Sequence, residues 1–147
     1  MKKIALACVH LIDLNIACTR VRDVPACLAP LVALEELDVS SLPVAAADLA
    51  EMAGDCFCFL VRLSVVGRTV TASHDAALLI DSIPSMRLLR VHQSCSDIDA
   101  LQADHPDVIV ERLPTQEYSC AQQYPRANTT VPWASWMSWY RRTLRHS

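Results

Sequence analysis

Glycine is scarce in this chain of 147 residues and occurs only as Gly54 and Gly67. Loops that bind nucleotide phosphates need several glycines close together, so that backbone N–H groups can approach the ligand. Two glycines separated by 13 positions can build neither the phosphate-binding loop of nucleoside triphosphatases nor the dinucleotide-binding fingerprint. The sequence therefore argues against nucleotide chemistry.

Long hydrophobic runs are also missing, because no segment reaches the roughly 18 apolar residues of a membrane-spanning helix. Residues 1–8 combine two lysines with a short apolar stretch and so imitate a secretion signal. His10 and Asp13 interrupt that stretch. We therefore expect neither a membrane span nor a cleaved signal.

The seven cysteines are an odd number, which argues against a fully paired extracellular disulfide framework. Cys56 and Cys58 lie two positions apart, with no second pair or histidine cluster at the spacing of a zinc site. We predict that the cysteines are mainly small buried side chains, and that the protein is intracellular, in a reducing compartment.

The five histidines are scattered along the chain, and none has the neighbours of a recognised catalytic arrangement. We therefore predict that the protein is not an enzyme and has no catalytic residues. No metal, cofactor or small-molecule substrate is expected.

Charge is distributed unevenly along the chain. Residues 1–113 contain nine Lys or Arg against fifteen Asp or Glu, a net charge of −6, whereas residues 114–147 contain four Arg against Glu117, a net charge of +3. Binding to nucleic acid requires a basic face, so the acidic segment argues against a nucleic-acid partner. The basic segment suits an acidic protein surface or anionic lipid.

What the chain does contain is a phrase of apolar residues, spaced by three and then two positions, that recurs four times. Its members are Val9, Ile12 and Leu14; Leu34, Leu37 and Val39; Leu60, Leu63 and Val65; and Met86, Leu89 and Val91. The four phrases begin 25, 26 and 26 residues apart, and this regular period predicts a solenoid. Apolar and polar residues alternate in each phrase, which indicates a strand with one buried face.

An aspartate follows each phrase at the place where a short helix would begin. The four residues are Asp23, Asp48, Asp75 and Asp97. Each carboxylate is predicted to cap its helix by accepting a hydrogen bond from a free N–H group of the first turn. Neither a strand nor a helix of this kind can bury its apolar face alone, so we expect neighbouring units to stack around one core.

Residues 34–40, Leu-Glu-Glu-Leu-Asp-Val-Ser, resemble the strand consensus of leucine-rich repeats, and residues 12–15 are a second copy. Residues 88–113 resemble the last repeat and closing strand of the cysteine-containing repeats found in F-box proteins. That repeat type also occurs in a mitochondrial group that includes the ATP synthase coupling factor B. The resemblance implies an α/β leucine-rich-repeat solenoid of about four repeats, with a parallel sheet and short helices, over residues 1–113.

The resemblance also implies that the exposed face of the sheet binds another protein. The candidate contacts on that face are Glu36, Asp38, Arg62, Arg90 and His92. Two functions follow as expectations: a structural accessory subunit of a large assembly, with a mitochondrial membrane complex as its setting, or the substrate-recognition module of an F-box-like ubiquitin ligase. We expect the first, because the first phrase lies within ten residues of Met1 and no F-box-like helical segment precedes it.

Residues 114–147 are predicted to form an extended arm followed by a helix that begins at Pro132. Trp133, Trp136 and Tyr140 would lie on one face of that helix, with arginines close by. The candidate contact residues are Trp133, Trp136, Trp139, Tyr140, Arg141, Arg142 and Arg145. The sequence leaves three binding surfaces open for them: the flank of the repeats, another protein subunit, or a bilayer interface.

Overall fold

The computed structural model describes residues 8–67 and 69–114, which form a five-stranded parallel sheet and four helices. The elements are β1 (Asp13–Asn15), α1 (Val24–Leu28), β2 (Glu36–Asp38), α2 (Ala46–Cys56), β3 (Arg62–Ser64), α3 (Ser73–Ser82), β4 (Leu88–His92), α4 (Ile98–Asp104) and β5 (Ile109–Leu113). The strands lie side by side in chain order, all parallel. The predicted α/β class and parallel sheet are therefore confirmed. None of the described helices has the length and apolar character needed to cross a bilayer.

The register of the sheet aligns one apolar side chain from every strand. These residues are Leu14, Leu37, Leu63, Leu89 and Val110. Leu37, Leu63 and Leu89 are at most 2% exposed and belong to one continuous core. The prediction that these three leucines share one interior is confirmed.

The helices complete this core from the inner side of the sheet. Each presents one apolar stripe, of which Val24, Leu49, Leu79 and Ile98 are members, and all four are at most 4% exposed. They lie in the same cluster as the inward leucines of the strands. Because strand and helix bury their apolar faces against each other, neither could exclude water alone.

The predicted register of the first phrase was wrong. Leu14 pairs with Leu37, so the phrase begins at Leu11, three residues before Leu14, and not at Val9. Val9 and Ile12 are 39% and 54% exposed, whereas Leu11 packs against the core. Both phrases have the same spacing in the sequence, and only pairing with β2 distinguishes them. The four phrases therefore begin 23, 26 and 26 residues apart.

Two of the four aspartates occupy the N-cap position, but only one caps its helix with its side chain. Asp23 accepts a hydrogen bond at Oδ1 from the N–H of Ala26 at 3.1 Å, as predicted. Asp97 has a left-handed backbone, with φ of 55°, and makes no side-chain capping bond. The predicted role of Asp97 is therefore wrong.

The other two aspartates lie inside the first turn, because their helices begin three residues earlier than predicted. Asp48 accepts from the N–H of Ala45 at 3.2 Å, and Asp75 accepts from the N–H of Thr71 at 3.2 Å. Each carboxylate thus accepts from a residue that precedes the helix, Ala45 directly before α2 and Thr71 two residues before α3, rather than from within the helix. A negative charge in the first turn still suits the positive end of the helix dipole.

Candidate functional site

The outward face of the sheet carries two rows of side chains, because alternate residues of a strand point away from the core. One row consists of Asp13, Glu36, Arg62, Leu88 and Ile109, and the other of Asn15, Asp38, Ser64, Arg90 and Glu111. We call these ten residues the strand face. The parallel register places the members of each row next to one another on neighbouring strands.

The charge of the strand face changes sign from β2 to β3. Glu36 and Asp38 are acidic, and Arg62 follows on the next strand. Arg62 Nη2 lies 2.7 Å from Glu36 Oε1, with side chains that are 53% and 38% exposed. An ion pair as exposed as this contributes about 0–1 kcal/mol to stability. Its main effect is to hold the guanidinium in a defined orientation on the surface.

Further hydrogen bonds connect side chains of the second row across strands. Asn15 Nδ2 donates to Asp38 Oδ2 at 3.3 Å, and Arg90 Nε donates to Glu111 Oε2 at 2.9 Å. Asp38 also accepts from the N–H of Ser40 at 2.9 Å through its other oxygen. These six polar side chains of the strand face, those of Asn15, Glu36, Asp38, Arg62, Arg90 and Glu111, are therefore oriented before any partner binds.

Four of the five predicted contact residues on the sheet line one depression of about 310 Å³. Its lining residues are Asp13, Asn15, Glu36, Leu37, Asp38, Arg62, Ser64 and Arg90. The fifth predicted residue, His92, lies at the end of β4, where its Nδ1 is 2.6 Å from Ser94 Oγ. His92 therefore contacts the turn after β4 and does not line the depression.

Sequence reasoning missed the apolar end of the strand face and the polar residues of β1. Leu88 is half-buried and Ile109 is 60% exposed, next to each other on β4 and β5. Asp13 and Asn15 flank the inward residue Leu14 and line the depression from β1. The two-residue alternation around Leu14, Leu89 and Val110 was the signal that could have found all four residues.

The predicted contact residues of the C-terminal helix lie outside the described residues. They are Trp133, Trp136, Trp139, Tyr140, Arg141, Arg142 and Arg145. Their predicted role stays a prediction.

The six described cysteines are reduced, and their exposure differs. Cys27, Cys56 and Cys95 are buried, as predicted, whereas Cys58 is exposed. Burial raises the pKa of the Cys56 thiol, and the nearby Asp55 carboxylate raises it further. Burial also raises the pKa of Cys95.

Between residues 8 and 114, Arg68 aside, no group of three or more His, Cys, Asp or Glu is placed to hold a metal ion. No family model, no characterised protein and no solved structure matches this chain. The functional interpretation therefore depends on the geometry of the strand face and on the chemistry of its side chains.

Proposed function

We propose that this protein is a non-catalytic accessory subunit, built as a leucine-rich-repeat solenoid of about four repeats, that binds another protein subunit through its strand face. The observation that carries the proposal is the register of the outer rows, which places acidic, basic and apolar side chains side by side. Arginine and apolar residues together are typical of the centres of protein interfaces.

The repeat interpretation is supported by equivalent roles at equivalent positions of successive units. Cys18, Ser41 and Gly67 each lie seven residues after the first residue of their phrase, and all have positive φ, of 57°, 61° and 140°. Positive φ is uncommon outside glycine, and Cys18 and Ser41 have nearly the same value, so their equivalent positions favour units that turn alike.

The size of the strand face limits how a partner binds. Five strands about 4.8 Å apart span only about 20 Å. A stable interface covers about 800 Å² on each partner, so the partner must also contact the borders of the sheet. Exposed apolar side chains lie in the loops before β1, β2 and β3, namely Val9, Ile12, Val32 and Phe59. We propose that a stable partner covers this border together with the strand face.

Size and composition of the native complex test the proposal. We expect the full-length protein in native extract to migrate with a complex of high mass, and chemical crosslinks to join its strand face to one subunit. Arg62→Glu should reverse the charge at the centre of the face and release the protein from the complex. Arg22→Glu is the matched control, because Arg22 is exposed but lies in the turn before α1. Equal behaviour of the two variants would contradict the proposal.

The mitochondrial setting is a further part of this proposal, and it rests on the resemblance of the repeats alone. Subcellular fractionation followed by detection of the endogenous protein tests it. Co-fractionation with a membrane complex of the organelle is the expected result. Recovery from other fractions alone would remove the setting without affecting the proposed role of the strand face.

A further inference from the structure

A groove of about 410 Å³ lies between α1 and α2, on the side of the molecule opposite the strand face. Its floor is mainly apolar and is formed by Pro25, Ala26 and Ala29 from α1 and its C-terminal end, and by Met52 and Cys56 from α2. Methionine adapts its shape to different ligands, and apolar floors of this kind accept aromatic side chains well.

One rim of the groove is acidic. Asp48, Glu51 and Asp55 lie on one face of α2 and all line the groove. Glu51 and Asp55 are four residues apart, so their charges repel each other, and Asp55 also faces the negative end of the helix dipole. No basic residue occupies the last turn of α2. Within the described ranges, no Lys, Arg or His forms an ion pair with Glu51 or Asp55.

The C-terminal segment of the same chain has the complementary chemistry. Residues 132–147 contain all three tryptophans of the protein, and their charged residues are exclusively arginines. In the predicted helix, Arg141 and Arg145 are four positions apart, which is the spacing of Glu51 and Asp55. Two arginines at this spacing on one helix can each lie beside a carboxylate of a facing helix.

The connecting chain is long enough to reach the groove. Residues 115–131 number 17, and an extended chain of that length spans about 55 Å. The distance from β5 to β1 across the sheet is about 20 Å. The path around the end of the sheet to the helices is therefore well within reach.

We propose that residues 132–147 bind in the groove between α1 and α2 of the same chain, with the tryptophans on the apolar floor and the arginines at the acidic rim. The strand face, on the opposite side, then stays accessible to a partner. This inference goes beyond the proposed function, because it concerns a contact within the chain.

Tryptophan fluorescence of the full-length protein tests the inference directly, because every tryptophan lies in the proposed ligand segment. We expect a blue-shifted emission and weak quenching by acrylamide at low ionic strength. Glu51→Lys with Asp55→Lys should shift the emission to longer wavelength and increase the quenching. Asp104→Lys with Asp107→Lys is the matched control, with the same change of charge at exposed positions away from the groove, and should leave both readouts unchanged.

A charge exchange keeps the test valid if the substitutions in α2 disturb the fold. Arg141→Glu with Arg145→Glu changes only the C-terminal segment and should give the same red shift. Combining it with Glu51→Lys and Asp55→Lys should restore the blue-shifted emission.

Several outcomes would overturn the inference. They are solvent-exposed emission in the unmodified protein, no response to charge reversal, and no recovery in the combined variant. Emission that depends on protein concentration would instead assign the groove of a second copy as the binding site. Emission that shifts only with anionic lipid vesicles would assign a membrane surface. No partner subunit is present in this assay, so its failure is distinguishable from failure of the proposed function.

Discussion

Ser40 shows how much a single small residue contributes to this protein. Its side chain is completely buried, and its Oγ accepts a hydrogen bond from the N–H of Val66 at 3.0 Å. Its backbone carbonyl accepts from the N–H of Cys18 at 3.0 Å. Ser40 thereby connects three turns that follow successive strands. Buried polar groups of folded proteins are nearly always hydrogen-bonded. Here the Ser40 hydroxyl is the acceptor for a backbone N–H of the next turn.

Replacing Ser40 with alanine removes the acceptor of the Val66 N–H. We expect Ser40→Ala to lower the free energy of unfolding by about 1–3 kcal/mol, the cost of a buried unsatisfied donor. Urea denaturation measures the change. Ser96→Ala is the matched control, because Ser96 is exposed and should change stability by less than about 0.5 kcal/mol. Equal effects of both substitutions would show that the Ser40 bond is unimportant.

The two glycines are expected to respond to alanine with opposite signs. At Gly67, where φ is +140°, an added Cβ would lie 3.2 Å from the backbone N of Ser41, so Gly67→Ala should destabilise by more than about 1 kcal/mol. Gly54 is exposed in α2 with nothing within 4 Å of an added Cβ. Gly54→Ala should stabilise by up to about 1 kcal/mol through helix propensity. Thermal unfolding of both variants gives the two signs, and a shared sign would refute this account.

The thiols should differ in reactivity. Cys58 is exposed, whereas Cys56 and Cys95 are buried and have raised pKa values, so fewer of their thiolates exist near neutral pH. We expect N-ethylmaleimide to modify Cys58 first in the native protein, with peptide mass spectrometry locating the label. Because the folded state disfavours these two thiolates, stability should also fall as the pH rises above the ordinary thiol pKa. Rapid labelling of Cys56 in native conditions would contradict the burial described above.

At the scale of single elements, most of the strands are very short, and their neighbours hold them in place. β1, β2 and β3 have three residues each, the lower limit of the usual strand length. β5 is connected to α4 by Gln102, whose Nε2 donates to the Val108 carbonyl at 2.6 Å and whose Oε1 accepts from the Val110 N–H at 3.0 Å. Such elements depend on packing of their inward leucines more than on the strand hydrogen bonds alone.

The inward leucines permit a comparison at one register position. Leu37→Ala and Leu63→Ala should each cost about 2–5 kcal/mol, because they leave a cavity between buried neighbours. Leu14 has the same register but is half-buried on the terminal strand β1, so Leu14→Ala should cost less. Urea unfolding of the three variants gives the ranking. Equal stability of Leu37→Ala and the unmodified protein would refute the proposed packing of the core.

At the scale of the whole molecule, the two sides of the sheet serve different purposes. The inner side and the helices form one apolar core, and the outer side carries the charged rows of the strand face. The groove between α1 and α2 adds a second, acidic surface on the helix side. Among the described strands β1 pairs only with β2, so the sheet has a terminal strand at that end.

The position of a strand within the sheet should determine how readily it opens. The amides of Ile16, Val39 and Val65 donate to carbonyls of the next strand at 2.9–3.0 Å, and all three residues are at most 3% exposed. Native-state hydrogen exchange should nevertheless be fastest at Ile16, because a terminal strand can open without disturbing a second neighbour. Slower exchange at Ile16 than at Val65 would show that additional structure protects β1.

Much of the fold was predictable because it follows from local alternation of apolar and polar residues. Around Leu37, Leu63 and Leu89 the pattern has one consistent solution, and the strands lie where it predicts. Around Leu14 two overlapping phrases fit equally well, and the wrong one was chosen. The predicted starts of the helices near Asp48 and Asp75 were three residues too late, because a carboxylate can accept from a free N–H group either as the N-cap or from within the first turn.

Outside the first phrase, the sequence by itself determined which side chains of the strands are buried. It also determined that strands alternate with helices, since both features depend on periodicities read along a single segment. The 26-residue period already places Arg62 beside Glu36. Only the tertiary structure decided the register of β1 and β5 against their neighbours, and with it the pairs Asn15–Asp38 and Arg90–Glu111. The residues of these two pairs are 23 and 21 positions apart in sequence, and the period of 26 does not relate them. They meet because packing of the core selects one alignment of neighbouring strands, and a surface site built across strands depends on that selection.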